Sequence, residues 1–195
     1  MLSNSDIKRI NKLHRKVNRK RIGQFIVEGD KCVKELLLST YNVTELYAVK
    51  EWINTVDNTK VKYVSRSNLQ RISSLKTANK VIAVARAGDS SYNFKNDITL
   101  VLDKISDPGN LGTIIRLADW FSIKRIVCSE NSVDMFNNKV IQASMGSVFR
   151  VNIKYKNLSS YLSSVNTKVY GTFKKGKNIK SNNFDRNCHL VLGNE

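Results

Sequence analysis

The sequence predicts an α/β protein in two parts, a small sheet covered by helices and then a larger parallel sheet. Three observations predict it. Strand-length apolar runs alternate along the whole chain with segments whose apolar residues recur every three or four positions. From residue 98 onward the strand runs fall roughly 20–25 residues apart with helical patterns between them, the spacing of βαβ units on a parallel sheet. Between the halves, Gly88-Asp89-Ser90-Ser91-Tyr92-Asn93 is the clearest shift in composition. The expected division is therefore 1–90, a linker at 91–97, and 98–195.

Taken in order, residues 3–20 read as a helix that Ser3 or Ser5 can cap, with Ile7, Ile10, Leu13 and Val17 on one face. Strands follow at 24–27, 43–49, 61–64 and 81–87. Between them lie a helix from Asp30 through Val33, Leu36 and Leu37, and a brief one at Leu69 and Ile72 after the cap candidate Ser67. In the second half strands are expected at 98–102, 125–128, 149–153, 168–171 and 189–192, and helices at 111–121, 137–147 and 158–165.

Composition narrows the function. Thirty-three Lys and Arg against 16 Asp and Glu give a net charge of +17. The excess is spread over both halves, 18 basic to 8 acidic in 1–90 and 15 to 8 in 91–195. Such a surface attracts a polyanion at long range, a merely soluble basic surface being the bland alternative. The first helix concentrates the charge: Lys8, Arg9, Lys12, Arg15, Lys16, Arg19 and Lys20 oppose the apolar face, with Arg21 just beyond and Asp6 the sole acid. Solvated helix faces normally mix signs, so Arg15, Lys16, Arg19, Lys20 and Arg21 are expected to contact nucleic-acid phosphates, with plain solvation as the alternative.

No apolar run approaches the roughly 18 residues that span a bilayer, and the basic segments lack a large aromatic face for a membrane surface. Residues 1–20 are too charged for a secretory leader, and Asp6 with the continuous helical pattern makes a basic amphipathic transit peptide the weaker alternative. Cys32, Cys128 and Cys188 are scattered and odd in number, and His14 and His189 are the only histidines. They are expected to form neither a disulfide framework nor a metal site, and the cysteines read as small core residues in a reducing cytoplasm.

Two stretches carry chemistry. Asp107-Pro108-Gly109-Asn110-Leu111-Gly112-Thr113-Ile114-Ile115-Arg116 follows the apolar run 98–102 and contains the only proline. Pro108 fixes φ and Gly109 permits a tight bend, so the loop can present Asn110 rigidly. A helix with apolar Leu111, Ile114, Ile115, Ala118 and Phe121 then carries Arg116, expected one turn beyond. Its bland reading is an ion pair with Asp119 or Asp103. Loops at the carboxyl ends of such strands are where open α/β sheets cup ligands. The second stretch is Leu190-Val191-Leu192-Gly193-Asn194-Glu195, a strand opening onto a glycine that lets a ligand approach the backbone.

Together, in this order and about 80 residues apart, the two stretches resemble the SpoU-type RNA 2′-O-ribose methyltransferases of the SPOUT superfamily. There a strand precedes a D-P-x-N-x-G-x-x-x-R box and a later strand ends in G-x-E. Between them Ala143-Ser144-Met145-Gly146-Ser147-Val148-Phe149-Arg150 is similar to that family's A-S-M-G-A-x-F-R, and Phe25-Ile26-Val27-Glu28-Gly29 to its F-x-V-E-G.

The resemblance implies an N-terminal α/β/α substrate-binding domain related to ribosomal RNA-binding proteins, then a SPOUT domain with a trefoil-knotted carboxyl end. It implies S-adenosylmethionine as cofactor and a homodimer in which an arginine of one subunit completes the other's site. Carried over residue by residue, Asn110, Arg116 and Glu195 are catalytic, and Thr172, Leu192, Gly193 and Asn194 bind the cofactor. A separate N-terminal domain favours rRNA over tRNA as substrate. Leu117 stands where the family commonly has threonine, and Ser122 where a glycine usually ends the helix. The family's third motif, an S-L-N segment and last helix, is absent after Glu195. The SPOUT part is therefore expected to be incomplete, to expose apolar surface near its end, and to transfer little methyl in this form. The competing expectation is a non-catalytic RNA-binding protein. A Rossmann-type nucleotide enzyme is the poorer third reading, because Gly-x-Gly-x-x-Gly follows no strand.

Overall fold

In the computed structural model, which describes residues 2–53, 61–88, 97–181 and 183–193, the chain forms two sheets. Helix α1 (Asn4–Lys12) starts at Ser3, whose hydroxyl accepts from the Asp6 N–H while the Asp6 carboxylate accepts from the Ser3 N–H. Ile7, Ile10 and Leu13 are buried as expected. The single helix expected over 3–20 is broken, however. The chain turns at 13–15 and restarts as α2 (Lys16–Ile22), which ends on Gly23 at φ 67°. Past the break the helical period is reset. Val17, expected on the apolar face, is 77% exposed, and Arg19, expected on the basic face, is 5% exposed.

The first sheet contains β1 (Gln24–Glu28), β2 (Val43–Ala48), β3 (Val61–Tyr63) and β4 (Val81–Arg86) in the order β1-β4-β2-β3. Strand β4 is antiparallel to β1 and β2, while β3 runs parallel to β2. The run Val81–Ala85 is buried throughout, which accounts for its unbroken apolar pattern. Helices α3 (Asp30–Leu37), α4 (Lys50–Ile53) and α5 (Arg66–Ile72) intervene. The last is capped by Ser65, two residues before the expected Ser67.

The second sheet contains β5 (Thr99–Leu102), β6 (Arg125–Ser129), β7 (Asn152–Lys156), β8 (Lys168–Gly171) and β9 (Cys188–Leu192). All are parallel, in the order β7-β6-β5-β9-β8. Helices α6 (Pro108–Trp120), α7 (Asn138–Ser144) and α8 (Leu158–Ser163) connect them. Strand β7 begins later than expected because residues 147–149 form a 3-10 turn. Phe121, expected on the core face of α6, is exposed because the helix ends at Trp120 and the chain turns at Ser122, φ 58°. No helix among the described residues is long and apolar enough to cross a membrane.

The two sheets share one continuous core. Phe25 of β1 stacks on Phe136 with ring centroids 4.1 Å apart. The expected linker at 91–97 lies, apart from Asp97, outside the described residues.

Candidate active site

The site is built at the carboxyl edge of the second sheet. Leu102 of β5 pairs with Leu192 of β9, and Gly171 of β8 with Val191, so three strand ends emerge side by side. The loop after β5 is tied to both neighbours. The Asp103 N–H donates to the Leu192 carbonyl at 2.9 Å, and the Lys104 N–H to the Ser129 hydroxyl at 2.8 Å. The Thr172 N–H and hydroxyl both donate to the Val191 carbonyl, at 3.1 and 3.2 Å. Thr172, Leu192 and Gly193 therefore share one edge. A Cβ added to Gly193 would meet nothing within 4 Å, so its backbone is open to an approaching ligand. Asn194 and Glu195 lie outside the described residues.

The bend that opens α6 forms as its residues dictate. Asp107 is the N-cap, its Oδ1 accepting from the Asn110 N–H at 2.7 Å, and Pro108 occupies the first turn, where no N–H is needed. Asn110 is thereby held in the first turn of α6 with its side chain exposed and without a partner among the described residues. Arg116 is not one turn beyond it. Six residues place it about 9 Å further along α6 and on another face, exposed and again without a partner among the described residues. The expected alternative, a pair with Asp119 or Asp103, does not form. Asp119 is engaged by Arg150 at 2.8 Å and Lys124 at 3.5 Å. The structure thus sets Thr172, Leu192 and Gly193 along one edge, with Asn110 in the first turn of the helix that follows β5 and Arg116 further along that helix.

Arg19 is the clear correction among the basic residues. Its Nε and Nη2 donate to Asp134 Oδ2 at 2.9 and 2.6 Å, and its Nη1 to the Leu13 and His14 carbonyls, both at 2.9 Å. It closes the end of α1 and clamps α2 to the second sheet, and with four of its five donors engaged and its side chain buried it is not presented to RNA. Arg15, Lys16, Lys20 and Arg21 are exposed. Lys16 and Lys20 border a cleft of about 580 Å³ between the two sheets, with Met135, Phe136 and Tyr155 among its other walls. Burial pushes the Tyr155 phenol up, so it stays protonated and donates to the Val133 carbonyl at 2.7 Å. Burial likewise raises the Cys128 thiol to about 12, which makes it inert.

A match to the SpoU rRNA Methylase family covers residues 97–195, and one to the MRM3-like substrate binding domain covers 4–83. The chain belongs to the SpoU rRNA methylase family. It is similar to the 23S rRNA (guanosine(2553)-2'-O)-methyltransferase RlmP of Bacillus subtilis, at 29% identity over 98% of this chain and 80% of that protein. The mitochondrial rRNA methyltransferase 3B of Danio rerio matches at 27% identity over 74% of this chain and 36% of its own length. Among solved structures, a putative RNA methyltransferase of the TrmH family from Porphyromonas gingivalis superposes with TM-score 0.88 at 33% identity, covering 99% of this chain and 81% of that one. The AdoMet-bound rRNA methyltransferase from Sinorhizobium meliloti superposes with TM-score 0.85 at 25% identity, covering 100% and 80%.

In this SpoU-family chain, several of the motif residues hold the fold together. Glu28 accepts from the Ser73 hydroxyl, the Ser74 N–H and hydroxyl, and Asn138 Nδ2 of α7, so it bridges the two sheets. Arg150 pairs with Glu35 of α3 and Asp119 of α6. A Cβ on Gly112 would stand 2.5 Å from the Ala143 Cβ and 2.8 Å from the Val140 carbonyl oxygen, so that glycine exists for the contact of α6 with α7. Sequence reasoning passed over Phe173 and the lysines at 174, 175 and 177, which follow Thr172 directly. Their signal was a basic run beside an aromatic residue.

Proposed function

We propose that the chain is an S-adenosylmethionine-dependent RNA ribose 2′-O-methyltransferase that acts on structured rRNA in the cytoplasm. The observation that supports the reading is the shared carboxyl edge of Thr172, Leu192 and the open backbone of Gly193, with the Asn110 bend following the adjoining strand β5. Apolar strand ends beside open backbone groups suit a cofactor with an adenine and an amino-acid portion. When bound, that cofactor supplies an electrophilic methyl group. The protein then has to orient a ribose hydroxyl and ease its proton away. Arg116 keeps its charge and is a poor general base, so its role is to hold a substrate phosphate that activates the hydroxyl.

The setting of Arg116 supports a homodimer. It lies beside exposed Leu117, Trp120 and Phe121, an apolar patch that suits a second copy, and a partner's site is the one it would then serve. Lys16, Lys20 and the cleft between the sheets offer the RNA a basic approach. A plain RNA-binding protein has no reason to hold Asn110, Arg116 and Glu195 in this combination.

The test gives the chain methyl-labelled cofactor and rRNA, then hydrolyses the RNA in alkali. A methylated 2′-oxygen cannot attack the neighbouring phosphate, so label, however sparse, should appear in alkali-stable dinucleotides. Arg116→Ala should abolish it while RNA still binds. Label in mononucleotides would overturn the ribose assignment.

A further inference from the structure

Beyond Thr172 the chain leaves the site edge as a loop carrying Phe173, Lys174, Lys175, Lys177 and Lys180, with no acidic residue before Asp185. The four lysines are exposed and none forms an ion pair among the described residues. Phe173 is 80% exposed, yet its ring is not adrift. A Cβ added to Gly171 would stand 2.7 Å from its Cε2 and 3.1 Å from its Cζ, so one ring edge sits against the glycine at the end of β8 while most of the ring faces solvent. Both ends of the loop are pinned. Thr172 bonds the Val191 carbonyl on the outward leg. On the return leg Phe184 sits edge-on to Tyr170 at 4.9 Å, and Asp185 accepts from the Tyr170 hydroxyl at 3.0 Å and pairs with Lys168 at 2.9 Å.

An aromatic face held open to solvent within a cluster of cations matches an unpaired nucleobase flanked by phosphates. A protein partner of opposite charge would satisfy the lysines and leave the flat open ring unexplained. We propose that Phe173 stacks an unpaired base of the RNA substrate while Lys174, Lys175 and Lys177 hold the adjoining phosphates, fixing the strand beside Gly193. The choice of RNA rests on the methyltransferase reading above; the stacking geometry does not.

The test titrates the chain across salt with an RNA hairpin bearing an unpaired loop and with a fully paired duplex of equal length. Phe173→Ala should weaken hairpin binding by about 5-fold to 150-fold, leave duplex and S-adenosylmethionine binding unchanged, and be rescued by Phe173→Trp. Replacing Lys174, Lys175 and Lys177 by serine should flatten the logarithmic salt slope by about 2. Unchanged hairpin affinity for Phe173→Ala overturns the proposal, as does an equal loss on the duplex or a loss of cofactor binding. If these titrations succeed and methyl transfer fails, the enzyme reading falls and the stacking site stands. If methyl transfer succeeds and hairpin binding is indifferent to Phe173, the stacking site falls and the enzyme reading stands.

Discussion

Arg19→Ala separates the two roles open to this residue. The substitution deletes four hydrogen bonds, leaves the Asp134 carboxylate 13% exposed without its partner, and frees two carbonyls at the end of α1. Breaking a buried pair from one side costs about 3–5 kcal/mol. Folded chains have only about 5–15 kcal/mol in hand, so about a fifth of the stability or more should go. At about 2–4 °C per kcal/mol for a chain of this size, the melting midpoint should fall by about 6–20 °C. Asp134→Ala should cost less, because Arg19 keeps its two carbonyl acceptors, and the double variant should fall short of the sum by about 1–3 kcal/mol. Urea titrations of the four proteins measure this, alongside RNA titrations across salt. A residue that contacts phosphate would behave in the opposite way. The RNA salt slope would become shallower by about 0.9 and the urea midpoint would stay put, a result that refutes the buried-clamp account.

Four further outcomes follow from the geometry. Gly112→Ala must part α6 from α7 against backbone atoms at 2.8 and 3.0 Å, so it should destabilise by about 1–3 kcal/mol or more; an unmoved melting curve would contradict that packing. His189 is buried with its ring nitrogens bonded to the Tyr161 and Thr167 hydroxyls, and burial, then the Arg125 charge, hold its pKa below 6.5. The folded state thus keeps it neutral while the unfolded chain takes up a proton, so stability is full above about pH 6.5 and is lost as pH falls below that value. His189→Gln should remove this slope in urea midpoints. The carboxylates act lower: burial opposes ionisation of Glu45 and Asp119, but bonds to Arg9 and Arg150 prevail and depress both, so their contribution fades only below about pH 4.5. Finally, charge reversal at Arg15, Lys16, Lys20 and Arg21 should weaken RNA binding and flatten its salt slope by about 0.9 for each phosphate no longer neutralised, with the urea midpoint little changed because all four are exposed. An unaltered slope would move the RNA path off α2.

What was legible in the sequence was local. Ser3 with Asp6, Asp107 with Pro108, and the buried runs 81–85 and 99–102 each settle their conformation through neighbours a few residues away, so residue type and spacing suffice. The break after Leu13 was not legible in this way, because Leu13 and Val17 keep helical spacing. Its closure depends on a guanidinium that reaches Asp134, 115 residues on. The edge that unites Thr172, Leu192 and Gly193 was approached through family likeness alone, since strand order is invisible to periodicity.

By itself the sequence determined the alternation of strands and helices, the polyanion-seeking charge and the bend that aims Asn110. Those follow from short-range sterics, hydrogen bonding and summed charge. Only the tertiary structure decided that Arg19 is a clamp and that Glu28, Gly112 and Arg150 join the parts. Each of these depends on which surfaces meet, and burial is a property of the meeting surfaces rather than of either segment.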